Sequence, residues 1–225
     1  MSLIEPQNIP CPSCGETVRF PVAYSVNADR RPDLRDSVLS GDFQRQRCPN
    51  CQTNFRLDPE LNYLDVARGQ WVAVYPFTDI GRWAQLEATA QETFSRAYGA
   101  RASATAREIG QTLQARLVFG WSALREKVLL VDHSLEDVEL ELTKIAVLRT
   151  SDNPPLSDET EMRLVAVDGD EFRIAWINAQ SESVVEMLGV PRAVYDRIVG
   201  DRVGWEPLRQ AVSAGLFVDA QRLMI

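Results

Sequence analysis

Cys11-Pro12-Ser13-Cys14 and Cys48-Pro49-Asn50-Cys51 repeat one four-residue pattern, and together they contain every cysteine of the 225-residue chain. Two Cys-x-x-Cys pairs can supply four thiolates to one tetrahedral Zn²⁺, at Zn–S distances of about 2.3 Å. Four protein ligands leave no open position for an activated water, so such a site stabilises the fold and performs no catalysis. The sequence therefore predicts one structural zinc ion per chain, with Cys11, Cys14, Cys48 and Cys51 as its ligands.

Three other uses of the cysteines stay open: disulfides, a redox pair and free thiols. Disulfides need an oxidising compartment, and the start MSLIEPQNIP lacks the basic and apolar segments of a secretory signal. A thioredoxin-like redox pair lies between a strand and a helix, whereas a strand-like stretch follows Gly15. The alternatives stay open because residues 15–47 separate the two pairs, more than the roughly 15–20 residues usual in ribbon sites.

The segment between the two pairs has its own pattern. β-branched and aromatic residues over 17–26 predict a strand, and residues 43–47 predict another. Between them, Pro32 suits the first turn of a helix and Gly41 suits its end. The N-terminal region is therefore expected to be zinc-ribbon-like, with a short inserted helix. Three further strands are predicted near 55–57, 61–66 and 71–75.

After residue 78 the apolar residues recur every three or four positions over 83–97, which predicts an amphipathic helix. Residues 113–119 are expected to be extended and 124–131 helical, and Ser134-Leu135-Glu136-Asp137 resembles a capping box that begins the next helix. Asp168-Gly169-Asp170 predicts a hairpin, followed by a third strand, two short helices and an extended C-terminus. The predicted class is α+β. Its predicted regions are the ribbon (1–78), a helical region (79–150) and a small α+β module (151–225).

Several short motifs together resemble one bacterial family. They are the two Cys-Pro-x-Cys units, Ser25-Val26-Asn27-Ala28-Asp29, Val118-Phe119-Gly120, Leu124-Arg125-Glu126-Lys127 and Ser134-Leu135-Glu136-Asp137. In this combination the chain resembles the CpXC family over roughly residues 9 to 150, and the region beyond is not covered. The resemblance implies that Cys11, Cys14, Cys48 and Cys51 are zinc ligands, and it implies no catalytic residue.

Composition narrows the classes of partner. The net charge is -8, and an acidic chain repels a phosphate backbone, so nucleic acid is not an expected partner. Arg45 and Arg47, beside the second cysteine pair, are a local basic feature that would favour nucleic-acid binding, but acidic residues are interleaved with the arginines of this region. No apolar run reaches the roughly 20 residues that span a bilayer, so no membrane is expected. Lys127 and Lys144 are the only lysines.

Candidate catalytic residues are few. His133 is the only histidine, and Asp132 and Ser134 flank it. Because the members of a triad converge from separate elements, sequence neighbours predict a polar turn and not a triad. The acidic run Glu136, Asp137, Glu139 and Glu141 points to different sides of a helix, which favours a structural role over a cation site.

The sequence thus predicts a zinc-stabilised, cytoplasmic, bacterial protein that binds another protein, as an adaptor. The alternative is an enzyme, a hydrolase or a nucleic-acid-processing protein, whose site one sequence does not reveal. A deep pocket with convergent polar groups would favour the enzyme, and an exposed apolar patch would favour the binding module. If the zinc is structural, Cys48→Ser is expected to unfold residues 9 to about 76.

Overall fold

The computed structural model describes residues 2–224, which form ten β-strands and seven α-helices. The strands are β1 (Leu3–Pro10), β2 (Thr17–Asn27), β3 (Arg45–Arg47), β4 (Asn54–Arg56), β5 (Leu61–Asp65), β6 (Gln70–Tyr75), β7 (Gln114–Phe119), β8 (Thr160–Asp168), β9 (Glu171–Asn178) and β10 (Val184–Pro191). The helices are α1 (Pro32–Ser40), α2 (Trp83–Tyr98), α3 (Ala104–Thr112), α4 (Trp121–Asp132), α5 (Asp137–Thr150), α6 (Arg192–Gly200) and α7 (Arg202–Val212). Two 3-10 helices cover Phe77–Arg82 and Ala220–Leu223. The predicted α+β class is confirmed.

The central sheet has five strands in the order β1-β2-β5-β6-β7. β1 pairs with β2, and β5 with β6, in antiparallel fashion, while β2–β5 and β6–β7 are parallel. The sequence analysis missed β1, whose Pro6 and Pro10 weaken the strand pattern. A strand at the edge of a sheet tolerates proline because its missing N–H faces no partner. β6 and β7 pair across the predicted boundary at residue 78, so that the first two predicted regions share one sheet.

The helix predicted between the cysteine pairs is confirmed as α1. It begins at Pro32 and ends at Gly41, whose φ of 83° is the left-handed conformation that glycine adopts without a Cβ clash. Val38 of α1 packs in one core cluster with Trp121 and Leu124 of α4. The inserted helix α1 therefore connects the ribbon to α4, the helix that follows β7.

The C-terminal part contains a three-stranded antiparallel sheet, β10-β9-β8. The predicted Asp-Gly hairpin joins β8 to β9, with Gly169 at φ 60°. Phe172, Ile174 and Trp176 of β9 pack with Tyr195 of α6 and with residues of α4 and α5. Because α4 also packs against the central sheet, this helix joins the two cores.

Two local predictions are wrong. Ser134 caps no helix: its N–H bonds to Val131 and the Leu135 N–H to Leu130, while its own φ is 52°. These are the two bonds of a Schellman motif that ends α4, so Ser134 belongs to the preceding helix, and α5 begins after Glu136. The prediction of an extended C-terminus is also wrong in part, because the C-terminal segment contains a 3-10 helix. Asp219 caps this helix by accepting a hydrogen bond from the Gln221 N–H.

Charged side chains fill much of the space between α4, α5 and β8. Both lysines of the chain are buried: Lys127 bonds to Asp137 at 3.0 Å, and Lys144 bonds to Glu126 at 2.7 Å and Glu141 at 2.9 Å. Two members of the acidic run, Asp137 and Glu141, thus act as ion-pair partners inside the core. Isolated charges are strongly disfavoured there, so each must be paired.

Arg163 joins this buried network to the C-terminal segment. Its guanidinium contacts Asp219 at 2.6 Å, Glu161 at 2.6 Å and Glu126 at 3.4 Å, and its exposed fraction is 2%. The three carboxylates come from residues far apart in the sequence. Arg163 therefore links α4, β8 and the last 3-10 helix through one side chain.

Candidate metal centre

The first cysteine pair forms the turn between β1 and β2. The Gly15 N–H donates to the Cys11 carbonyl at 2.9 Å, and the Cys11 N–H donates to Glu16 at 2.8 Å. Gly15 has a φ of 73°. This tight turn brings both cysteines of the pair to one side of the hairpin.

The second pair repeats the same turn between β3 and β4. The Gln52 N–H donates to the Cys48 carbonyl at 3.0 Å, and the Cys48 N–H donates to Thr53 at 2.9 Å. Gln52 has a φ of 63°, as Gly15 has at the matching position. The two hairpins therefore carry two equivalent cysteine turns, which we call the knuckles (residues 11–15 and 48–52).

The two knuckles face each other, and the four Sγ atoms lie within 4.8 Å of one another. Cys11 Sγ is 3.6 Å from Cys51 Sγ, and Cys14 Sγ is 3.7 Å from Cys48 Sγ. Sulfurs at the corners of a Zn–S tetrahedron are separated by about 3.8 Å, whereas bonded sulfurs are about 2.05 Å apart. All four thiols are free, and the cluster could hold one metal ion.

The inner and outer sulfurs differ in their surroundings. Cys11 and Cys48 are buried in a small cluster with Val18 and Phe55, while Cys14 is exposed and Cys51 half-buried. Each outer sulfur has a polar neighbour, Asn50 Nδ2 at 3.6 Å from Cys14 and Thr53 Oγ1 at 3.3 Å from Cys51. Hydrogen bonds from the Thr53 hydroxyl and N–H lower the pKa of Cys51 to about 6. A thiolate at Cys51 is therefore available near neutral pH, which favours metal binding.

A family model described as CpXC protein matches residues 9–144. This chain belongs to the CpXC family. The match covers both knuckles and extends through α4 into α5, which confirms the resemblance seen in the sequence. No curated protein and no solved structure matches the chain.

The CpXC region ends inside the buried ion network. Glu126, Glu141 and Lys144 lie within the matched residues, whereas their partners Arg163 and Asp219 lie beyond them. The C-terminal part of this CpXC protein is thus packed onto the family region through paired charges. No pattern of neighbouring residues in the sequence predicts those ion pairs.

The structure does not join the other candidate residues of this CpXC protein into a site. Asp132 pairs with Arg35 and Arg68, and no hydrogen bond within residues 2–224 links His133 to either of its neighbours. Arg56 bonds to Glu182 at 2.6 Å, and Arg45 bonds to the same carboxylate. None of the described helices is long and apolar enough to cross a membrane.

Proposed function

We propose that this CpXC protein is a zinc-stabilised module of the bacterial cytoplasm that binds another protein in a groove beside its ribbon. Four thiolates in a tetrahedral arrangement are the ligands that zinc takes in structural sites. The free thiols favour a reducing compartment, because oxidising compartments convert such close pairs to disulfides. The observation that best supports the proposed protein-binding role is the groove.

We expect one zinc ion per chain in protein purified without added metal, because the four sulfurs complete one tetrahedron. Native mass spectrometry with elemental analysis measures this directly. Cys14→Ser removes an exposed ligand and is expected to lower the zinc content, while Ser13→Ala, its neighbour, leaves it at one. A wild-type protein with no zinc and four freely titrating thiols would contradict the proposal.

The groove lies between the ribbon and one face of the three-stranded sheet, with a volume of about 510 Å³. Its apolar lining includes Val38, Val165 and Ile177. β10 exposes Val184 (54%) and Met187 (48%), which line the groove, and the neighbouring Val185 (54%). Large exposed apolar side chains grouped on one strand are typical of an interaction surface, whereas isolated ones are not.

The charge of the groove sets the chemistry of its partner. Arg45, Arg56 and Arg125 line it together with the carboxylates of Asp42 and Glu182, which gives a local net charge of +1 on a chain of net -8. Arg45 and Arg56 share Glu182, while Arg125 has no ion pair within the described residues. We therefore expect the occupant to be an extended protein segment with an acidic side chain next to bulky apolar ones.

A phage-displayed library of random peptides, selected on zinc-loaded protein, tests this occupant. We expect enriched peptides with Asp or Glu beside a large apolar residue, and micromolar binding of the synthetic peptide. Met187→Glu places a charge in the groove and is expected to weaken binding at least tenfold, or about 1.4 kcal/mol. Arg125→Met is expected to weaken the binding of acidic peptides by a similar factor, because it removes the unpaired guanidinium.

Two matched variants serve as controls. Val203→Glu adds the same charge at an apolar residue that is 88% exposed, outside the groove, and Arg101→Met removes an exposed arginine. Neither should change peptide affinity. Selection of basic peptides, binding of DNA in place of peptides, or equal loss in M187E and V203E would overturn the proposal.

The enzyme alternative has less support. A cavity of about 470 Å³ beside α5 and β8 has two hydroxyl side chains, Ser157 and Thr160, which bond to each other at 3.2 Å. His133 is not among the residues that line it. A hydrolase needs a nucleophile with a base in reach, and no hydrogen bond among the described residues links Ser157 or Thr160 to a histidine or a carboxylate.

A further inference from the structure

A second cavity, of about 470 Å³, lies above the buried ion network. Apolar side chains form its walls, among them Phe77, Leu148, Met162 and Trp176. Charged groups of α5, β8 and the C-terminal segment form its floor. Cavities of this size with apolar walls and a few convergent polar groups are typical of small-molecule sites.

The network beneath the cavity holds more acids than bases. Its carboxyls are Glu126, Glu141, Glu161 and Asp219, and its cations are Lys144 and Arg163. All six are buried, and with every group ionised the network carries a charge of -2. Excess negative charge out of water is unfavourable unless a proton or a cation offsets it.

The pKa values of two of these carboxyls reflect that excess. Burial, together with the charges of Asp219 and Glu126, raises the pKa of Glu141 to about 7 in spite of Lys144. Burial and the same two neighbours also raise the pKa of Glu161, although Arg163 opposes the shift. Both groups would be better stabilised by one more positive charge.

Glu161 lines this cavity, and one of its two carboxylate oxygens has no hydrogen bond within the described residues. Its Oε2 accepts hydrogen bonds from Arg163, whereas its Oε1 accepts none from residues 2–224. The residue is 1% exposed and lines the cavity. By contrast, both oxygens of Glu141 are used, by Lys144 and by the Ala220 N–H at 2.9 Å.

We propose that this cavity binds a small organic cation, a primary ammonium on an apolar body, with the ammonium at Glu161 and the body against Trp176 and Phe77. The ammonium supplies the positive charge that the network lacks, and the aromatic faces attract cations as well as apolar groups. A bare metal ion fits less well, since the acids do not converge as a metal-binding group among the described residues. Lys144 and Arg163 lie between them instead.

Three probes of similar size but different charge test the proposal: phenethylamine, 2-phenylethanol and 3-phenylpropionate. In isothermal titration calorimetry at neutral pH we expect the amine to bind at least tenfold more tightly than the alcohol, and no binding of the acid. Calcium and magnesium chloride, titrated in parallel, should give no heat of binding.

Two variants separate the cavity from the fold. Glu161→Gln removes the charge and is expected to weaken amine binding about tenfold. Leu156→Trp changes a lining residue that is 52% exposed and is not a member of the network, so it should block the cavity without lowering the melting temperature. Equal affinity for amine and alcohol, full binding by L156W, or a response to the metal ions alone would overturn the proposal.

Discussion

Replacing Cys48 with serine is expected to release the metal and to unfold the ribbon while the rest of the five-stranded sheet remains folded. Structural zinc contributes of the order of 10 kcal/mol to small zinc domains, as much as the whole stability of many proteins. Within the ribbon few apolar side chains are buried around the knuckles. Its core cluster consists of Cys11, Val18 and Cys48, with Cys51 and Phe55 at its margin. Most of its buried residues are thus the proposed ligands themselves.

Hydrogen exchange on Cys48→Ser would show how far the unfolding extends. We expect protection to disappear in β3, β4 and the first knuckle, and to remain in β5, β6 and β7. Those strands pack in other clusters, in one of which Tyr63, Val72 and Val118 are buried. The sequence alone had predicted unfolding of residues 9 to about 76. Because β5 and β6 share a sheet with β7, we now expect these two strands to stay folded, and the predicted unfolding covers fewer residues.

Ser13→Ala, within the same knuckle, is the control and should exchange like the wild type. Protection retained in β3 and β4 of the serine variant would show that the metal does not stabilise the fold, and would favour a redox role for the cysteines. Loss of protection throughout β5–β7 would show that the sheet depends on the metal after all.

The second large effect is expected at Arg163. Arg163→Met leaves Glu161, Asp219 and Glu126, all three buried, without their shared cation. Removing one partner of a buried ion pair costs about 3–5 kcal/mol. For a protein of this size the melting temperature should fall by roughly 6–20 °C, measured by calorimetry.

The pH dependence distinguishes lost charge pairing from lost packing. Burial raises the pKa of Glu161 and Arg163 opposes that shift, so without Arg163 we expect the folded variant to bind more protons than the unfolded chain. Its stability deficit should therefore shrink as the pH falls from neutral toward about 5. Arg96→Met, which breaks an exposed pair with Glu92, should cost well under about 1 kcal/mol at any pH. A deficit independent of pH in R163M would assign the effect to packing.

The sequence predicted features that depend on neighbouring residues. About ten consecutive residues determine each of these features, so the local sequence pattern was sufficient to predict them. They are the two knuckles, α1 with its Pro32 and Gly41, and the Asp168-Gly169 hairpin. The ion network is different, because Glu126, Arg163 and Asp219 meet only once the sheets are packed. Lys127 and Lys144 were visible as the only lysines, yet nothing near them indicated burial.

The same limit applies to the two sites proposed beyond the cysteines. The groove combines α1, α4 and β10, and the cavity combines α5, β8 and the last turn of the chain. In the groove the informative residue is Arg125, which has no ion pair within the described residues, and in the cavity it is Glu161, one of whose oxygens accepts no hydrogen bond from them. Whether a charge is paired is a property of the folded chain, which a linear pattern of charges does not contain.

Glu182, in the turn between β9 and β10, accepts bonds from arginines on both strands of the second ribbon hairpin. The hairpin that holds two of the four sulfurs therefore also forms one wall of the groove. Thermodynamic linkage then requires reciprocity. A peptide that binds the metal-loaded form more tightly than the metal-free form must raise the affinity for metal by the same factor. The concentration of free zinc and the concentration of the partner would each set the occupancy of the other's site.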